Sequence, residues 1–279
     1  MPKTEKVMLA KTYIPGKTPL AFPVIVQPKL DGVRAIWDGE QFTSRNEKVF
    51  VLPQLASLLK QVIPPTDQVS IDGELLIPGA PRNQTSGVCR AKEHRRKEEM
   101  AYILFDRLDE GPFVLRWNKL QSIASKRNLK TYYEHSKMYS LGSKLMMCPW
   151  TIVQSYDELM ELYAKYLRMS FEGIMIRNPG AEYHFYRSSA LLKFKPVRSL
   201  VAKIVGFVEG TGRLEGTLGA LEVVFKETFF HVGSGLTDDL RDTIWGDKHS
   251  FLGASIKVEF QDFSEYGVPD FPRFKKLII

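Results

Sequence analysis

The chain has 279 residues, with 39 Lys+Arg against 32 Asp+Glu for a net charge of +7. That length predicts one large domain or, better, two. A composition of 44% apolar and 25% charged residues allows a sizeable core and argues against wholesale disorder. No apolar run approaches the ~18 residues needed to span a bilayer, and Met1 to Lys17 contains no signal-peptide apolar stretch. The two cysteines, Cys89 and Cys148, exclude a disulfide framework and a four-cysteine zinc site. These features predict a cytoplasmic protein that is neither secreted nor membrane-bound, with a mild surplus of cations for a polyanionic partner.

Taken in chain order, Val24-Ile25-Val26 reads as a strand, and Arg34 to Ser44 as a hairpin turning at Asp38-Gly39 in two residues. Leu52 to Ile63 reads as a helix, with Pro53 at its start and Leu55, Leu58, Leu59 and Val62 at helical spacing. Val69 to Ile77, Ala101 to Leu108, Gly173 to Ile176 and Leu191 to Phe194 suit buried strands. Ser155-x-x-Glu158 is a capping box opening a helix with Leu159, Leu162, Tyr163 and Tyr166. After Lys195-Pro196 the texture changes to short strands and glycine-rich turns, with one short helix at Thr237 to Trp245, which suits a small β-barrel. A domain boundary and hinge are therefore expected between Pro196 and Leu200.

The chemistry-bearing segments are individually unremarkable. Lys29-Leu30-Asp31-Gly32-Val33-Arg34 alone reads as a charged surface turn. Its other reading is a nucleophilic lysine, whose amine would be activated by a neighbouring cation or metal. Ser44-Arg45-Asn46 follows, then Asp72-Gly73-Glu74-Leu75, which puts a carboxylate within an apolar strand. Phe105-Asp106 closes another such strand, and Glu172-Gly173-Ile174-Met175-Ile176-Arg177 starts a third at a carboxylate. Leu191-Leu192-Lys193-Phe194-Lys195-Pro196 sets two lysines two apart, on one strand face.

As an ordered set, these segments resemble the covalent nucleotidyltransferases, and in particular the minimal ATP-dependent DNA ligases of phages, large DNA viruses and bacteria. The resemblance covers roughly residues 5–275. It implies an α+β fold: a nucleotidyltransferase (ATP-grasp-like adenylation) domain of mixed antiparallel sheets and helices at 1–197, then a β-barrel OB-fold at 198–279. It also implies the roles of single residues. Lys29 would take AMP from ATP and Gln27 would meet the adenine edge, with Phe105 stacked on the adenine face. Glu74 would serve the ribose and, with Glu172, an Mg²⁺ or Mn²⁺ site. Lys193 and Lys195 would neutralise the α-phosphate. Arg34 and Arg45 would hold phosphate, including the 5′-phosphate of a nick in duplex DNA, and Asp31 would face the 3′-hydroxyl. The final barrel segment departs from the pattern, because Asp270 stands where relatives carry an arginine that orients pyrophosphate. Arg273, Lys275 or Lys276 would then take that role, Arg273 first among them.

The basic run from Arg82 to Lys97, with Arg82, Arg90, Arg95 and Arg96, would add a phosphate-facing surface. The segment Gly206 to Leu221 is too short for the long DNA-clamping insert of some viral relatives. A monomer with a partial clamp and salt-sensitive DNA binding is the expectation. An mRNA guanylyltransferase, an RNA ligase and a non-catalytic DNA-binding scaffold are the alternatives. The Glu172-Gly-Ile-Met-Ile-Arg run and the barrel favour the DNA ligase.

Overall fold

The computed structural model describes residues 6–63, 70–132, 144–261, 263–264 and 266–278. The chain divides into two compact units, Met1–Lys195 and Pro196–Ile279, two residues before the boundary expected after 197.

In the first unit the described strands form two sheets. One has the order β1 (Leu9–Thr12), β12 (Arg187–Phe194), β11 (Gly173–Arg177), β2 (Val24–Lys29) and β10 (Thr151–Val153). The other runs β5 (Val49–Phe50), β4 (Phe42–Thr43), β3 (Val33–Trp37), β6 (Ile71–Leu76), β7 (Ala101–Arg107), β9 (Leu145–Met147) and β8 (Lys130–Thr131). Strand pairing is mixed: β1 lies parallel to β12 and β7 to β9, while β2–β11, β11–β12, β3–β6 and β6–β7 are antiparallel. One hydrophobic cluster joins both sheets, from Ile25 and Val26 to Trp37, Tyr102 and Leu159.

Helices α1 (Pro53–Val62), α2 (Arg82–Arg90), α3 (Phe113–Lys126) and α4 (Tyr156–Arg168) complete the unit. Helix α1 opens on its proline and buries Leu55 and Leu59, as the spacing predicts. At the start of α4 the Ser155 Oγ accepts from the Glu158 N–H at 3.3 Å. The Glu158 carboxylate takes the Gln154 N–H instead of that of Ser155, so the box is offset by one residue. The hairpin after β3 is real, but its two-residue turn lies one residue further on, at Gly39-Glu40, closed by the Asp38 N–H donating to the Gln41 carbonyl at 3.3 Å. Ile36 and Trp37 pair with Thr43 and Phe42, and Asp38 Oδ1 accepts from the Glu40 and Gln41 N–H groups. That side chain satisfies backbone donors within the turn.

The second unit is a five-stranded antiparallel sheet in the order β15 (Thr228–Val232), β14 (Leu218–Phe225), β13 (Arg198–Glu209), β16 (Ser255–Phe260) and β17 (Arg273–Ile278). Ser234 bridges to Arg273, and the Phe274 N–H donates to the Ser234 carbonyl at 2.8 Å, which brings the two edges of the sheet together. The alternation along β13 buries Leu200, Ala202 and Ile204 on one face, in a core of the unit's own. Helix α5 (Asp238–Gly246) is capped by Thr237, as expected. A further four-residue helix, α6 (Lys248–Phe251), corrects the expectation of a single helix here.

Candidate active site

The register of three adjacent strands assembles the centre of the site. Lys29, the last residue of β2, faces Gly173 on β11, Gln27 faces Met175, and Met175 in turn faces Lys193 on β12. Glu172, just before β11, donates its N–H to the Lys29 carbonyl at 3.2 Å and accepts a hydrogen bond from Lys29 Nζ through its carboxylate. The other carboxylate oxygen of Glu172 accepts from Lys195 Nζ at 3.0 Å. Residues far apart in sequence thus share one end of one sheet.

Side-chain alternation explains why lysines flank Phe194. The Phe194 ring stacks on Tyr163 at 4.1 Å and meets Tyr13 edge-on at 5.1 Å, packed against the core. This anchoring leaves Lys193 and Lys195 for the opposite face. Gly173 lies at φ +154°, and a Cβ there would collide with the Phe194 carbonyl and the Lys195 backbone. Glycine is therefore what lets the Glu172 strand approach Lys195 so closely.

A cavity of about 780 Å³ opens over this centre, within the first unit. Its lining includes Gln27, Lys29, Asp31, Arg34, Arg45, Glu74, Arg82, Arg90, Phe105, Glu172 and Lys193. Those expected site residues are thus brought together. Lys195 is held behind the wall by Glu172 and does not line it. Arg95 and Arg96 lie in the short 3₁₀ turn Arg95–Glu99, also outside the lining. Arg96 is neutralised by Glu99 at 3.0 Å and bonds Gln84 at 2.9 Å, so the whole basic run does not face the cavity as expected. Arg273 sits exposed at the start of β17 in the second unit.

The charged groups respond to this enclosure. Burial raises the Glu74 carboxyl to about 7, against the pull of Lys29 and Arg34 and the hydrogen bond it accepts from the Gly32 N–H at 3.1 Å. A Cβ at Gly32 would strike the Leu75 carbonyl and the Glu74 side chain, so the Lys-x-Asp-Gly segment needs its glycine for this contact. Partial burial, reinforced by the like charge of Glu172, raises Asp31. For Glu172 burial works upward too, but the charges and hydrogen bonds of Lys29 and Lys195 outweigh it and hold the carboxyl below its ordinary range. Burial and the neighbouring cations Lys195 and Lys29 lower Lys193.

Two placements were not legible in the sequence. Arg34 lines the cavity, but its guanidinium is already engaged. Its Nε and Nη2 donate to the two Asp72 carboxylate oxygens at 2.8 and 2.5 Å, and Nη1 donates to the Met8 carbonyl at 2.7 Å. The Tyr183 hydroxyl donates to the same Asp72 at 2.7 Å. The guanidinium expected to hold phosphate is thus anchored on the buried Asp72. Gln27 is 1% exposed, and its amide is committed on both sides: Oε1 accepts from Arg177 Nε at 2.7 Å, and Nε2 donates to the Phe105 carbonyl at 3.4 Å. The buried partners Asp72, Asp106, Arg116 and Arg177, and the cavity-lining Arg187, carried no assigned role in the sequence reading. A buried charge must be paired to persist, and these residues are the pairs.

An amine beside a cavity roomy enough for a nucleotide, faced by an aromatic ring, carboxylates and lysines, is equipped for transfer of a nucleotidyl group. Comparison with known proteins agrees. Residues 8–195 match the ATP dependent DNA ligase domain, and residues 209–277 match the DNA ligase OB-like domain. The chain belongs to the ATP-dependent DNA ligase family. It is 26% identical over 251 residues to a DNA ligase of Haemophilus influenzae, covering 90% of this chain and 85% of that protein. It is 27% identical over 288 residues to a DNA ligase of African swine fever virus, covering 94% of this chain but 64% of the viral protein. Among solved structures, a Lig E DNA ligase superposes with a TM-score of 0.80 at 24% identity, covering 98% of each chain. The Chlorella virus DNA ligase-adenylate superposes at 0.56 with 25% identity, covering 99% of each. These superpositions support the mixed α/β fold with an OB-like domain. No helix among the described residues is long and apolar enough to cross a membrane.

Proposed function

We propose that this protein seals nicks between a 3′-hydroxyl and a 5′-phosphate in duplex DNA, acting as a monomer in the cytoplasm of a bacterial or phage-infected cell. The observation that carries this reading is the placement of Lys29 Nζ, held by Glu172 at the edge of the cavity that Phe105 and Lys193 also line. The chemistry is three displacements at phosphorus. Lys29 Nζ attacks the α-phosphorus of ATP, and the N–P bond forms as the P–O bond to pyrophosphate breaks. A 5′-phosphate oxygen at the nick then displaces the lysine, and the 3′-hydroxyl finally expels AMP.

Positioning and charge do most of the work in such steps. Glu172, kept ionised by two lysines, orients the Lys29 amine toward the cavity. Lys193 gains favourable partners when phosphate oxygens arrive, reversing the repulsion it feels from Lys195 and Lys29. Phe105 offers its face to adenine, and Gln27 stands at the adenine edge. Asp31 is assigned to the 3′-hydroxyl, and the exposed guanidiniums of Arg45, Arg82 and Arg90 to backbone phosphates. Arg273 is assigned to the pyrophosphate, in place of the arginine that Asp270 has supplanted.

Mg²⁺ or Mn²⁺ fits the donor set. Such an ion takes one or two carboxylates beside phosphate oxygens and water. Among the described residues, no three His, Cys, Asp or Glu gather into a cage that would hold a cation unaided. Glu74 and Glu172 would be its protein ligands. Bound there, the ion supplies neutralisation of developing phosphate charge.

The test is incubation with α-labelled ATP and Mg²⁺, followed by a chase with nicked duplex DNA. Covalent label that disappears in Lys29→Ala and moves to nicked DNA is the expected result. Label that persists in Lys29→Ala, or that never leaves the protein, overturns the reading.

A further inference from the structure

We propose that Arg177 selects the purine of the nucleotide triphosphate by fixing which way round the Gln27 amide lies. The inference rests on the adenylation reading above and concerns the base edge of the same cavity, which Gln27, Phe105 and Arg177 all line.

An amide presents an acceptor at one end and two donors at the other, and the two orientations have nearly the same shape. Adenine and guanine differ at their 6-position in that sense: a 6-amino group donates, and a 6-oxo group accepts. A glutamine free to turn over would serve either base. Gln27 is not free. On one side stands a guanidinium, which has only donors, so it must face the amide oxygen; Arg177 Nε does so at 2.7 Å. On the other side stands the Phe105 carbonyl, which only accepts, and the amide nitrogen faces it at 3.4 Å. Turning the amide over would set donor against donor at Arg177 and acceptor against acceptor at Phe105, in a place where Gln27 has no water to turn to. At its oxygen end Gln27 keeps one further lone pair for a 6-amino donor, and a 6-oxo group placed there would meet acceptor with acceptor.

Arg177 is itself fixed from behind. Its Nη1 donates to Asp106 at 2.8 Å, and the same carboxylate is held by Arg116 Nε at 2.9 Å. The guanidinium lies 4.5 Å from the Phe113 ring centroid and 5.7 Å from that of Phe105. Asp106 is fully buried. Arg177 spans this anchor and the amide with its fork, which a lysine, having a single ammonium, does not reproduce. Arg177 is thus a positioning residue, acting on the nucleotide through Gln27.

The experiment compares covalent labelling of the full chain by α-labelled ATP and by α-labelled GTP, as kcat/KM for each. Arg177→Lys keeps a cation for Asp106 but releases Gln27, and should lower the ATP-to-GTP ratio about tenfold. Gln27→Met leaves no amide to orient, so adding Arg177→Lys to Gln27→Met should leave the ratio where Gln27→Met alone puts it. A parallel fall of both nucleotides in Arg177→Lys, with the ratio unchanged, would mean a merely structural role and overturn the inference. So would a further fall of the ratio when Arg177→Lys is added to Gln27→Met. Absence of label from either nucleotide in the unaltered protein would instead sink the adenylation reading itself.

Discussion

Glu74 reaches the cavity wall from β6 with a single backbone N–H, that of Gly32, to hold it. Its carboxyl titrates near 7 because burial outweighs the attraction of Lys29 and Arg34. The folded state therefore binds a proton more tightly than the unfolded chain does. The stability this contributes is fully present below the ordinary Glu range and is lost as pH rises through about 7. Glu74→Gln, which stays neutral, should be more stable than the parent at pH 8 by roughly 1–2 kcal/mol, with the gap closing toward pH 5. Denaturant unfolding at the two pH values measures this, and an equal difference at both would show that Glu74 does not titrate in this range. Arg34 illustrates the opposite situation, where burial weakens the cation but Asp72 more than compensates and holds it protonated.

At the scale of the element, β11 is the keystone of the site, because it has β2 on one side and β12 on the other. Gly173→Ala places a methyl group against the Phe194 carbonyl and the Lys195 backbone, so β12 must shift and Lys195 must leave Glu172. A loss of about 2 kcal/mol or more is expected, together with a fall in Lys29 labelling larger than unfolding accounts for. Ser155→Ala is the control: loss of the α4 cap should cost about 1 kcal/mol and leave the labelling of the folded fraction alone. Thermal melts paired with labelling below the transition separate the two. Helices α2 and α3 were not read from the sequence, but α1 and α4 were legible from their apolar stripes and start signals, and the buried strands as short apolar runs. The four-residue α6 was not, being too short to display a period and held mainly by Asp247 accepting the Ser250 N–H. Nor was the true position of the turn after β3, which the Asp38 side chain favours by accepting from the Glu40 and Gln41 N–H groups. In the site, Lys29, Glu74 and Glu172 stood out as motif residues. The pairings of Arg34 with Asp72 and of Gln27 with Arg177 did not, because strand register, and not sequence spacing, chooses partners 38 and 150 residues apart.

For the whole molecule, the surplus of seven positive charges matters through where it falls. Arg45, Arg82 and Arg90 line the cavity, joined by Arg187 at the start of β12. Arg96 faces Glu99 and is discounted. If about four cations meet phosphates, log affinity for nicked duplex should fall against log salt with a slope of about −3.6. Arg82→Ala or Arg90→Ala should each flatten the slope by about 1, and Arg96→Ala should leave it nearly unchanged. Titration of labelled nicked DNA from low to physiological salt gives these slopes. A slope near zero in the unaltered protein would rule out phosphate-dominated binding.

The register of β2, β11 and β12 also has a consequence for synthesis. Lys29 leaves the ribosome early, whereas the strand that faces it and the lysines that complete its surroundings emerge some 145 to 165 positions later. Until then the growing polypeptide has the nucleophile without Glu172, Lys193 or Lys195. Chains grow N-terminus first, so competence to consume a nucleotide arrives late, once β11 and then β12 have joined β2. A truncated translation product ending before residue 173 would carry the motif lysine and still be inert.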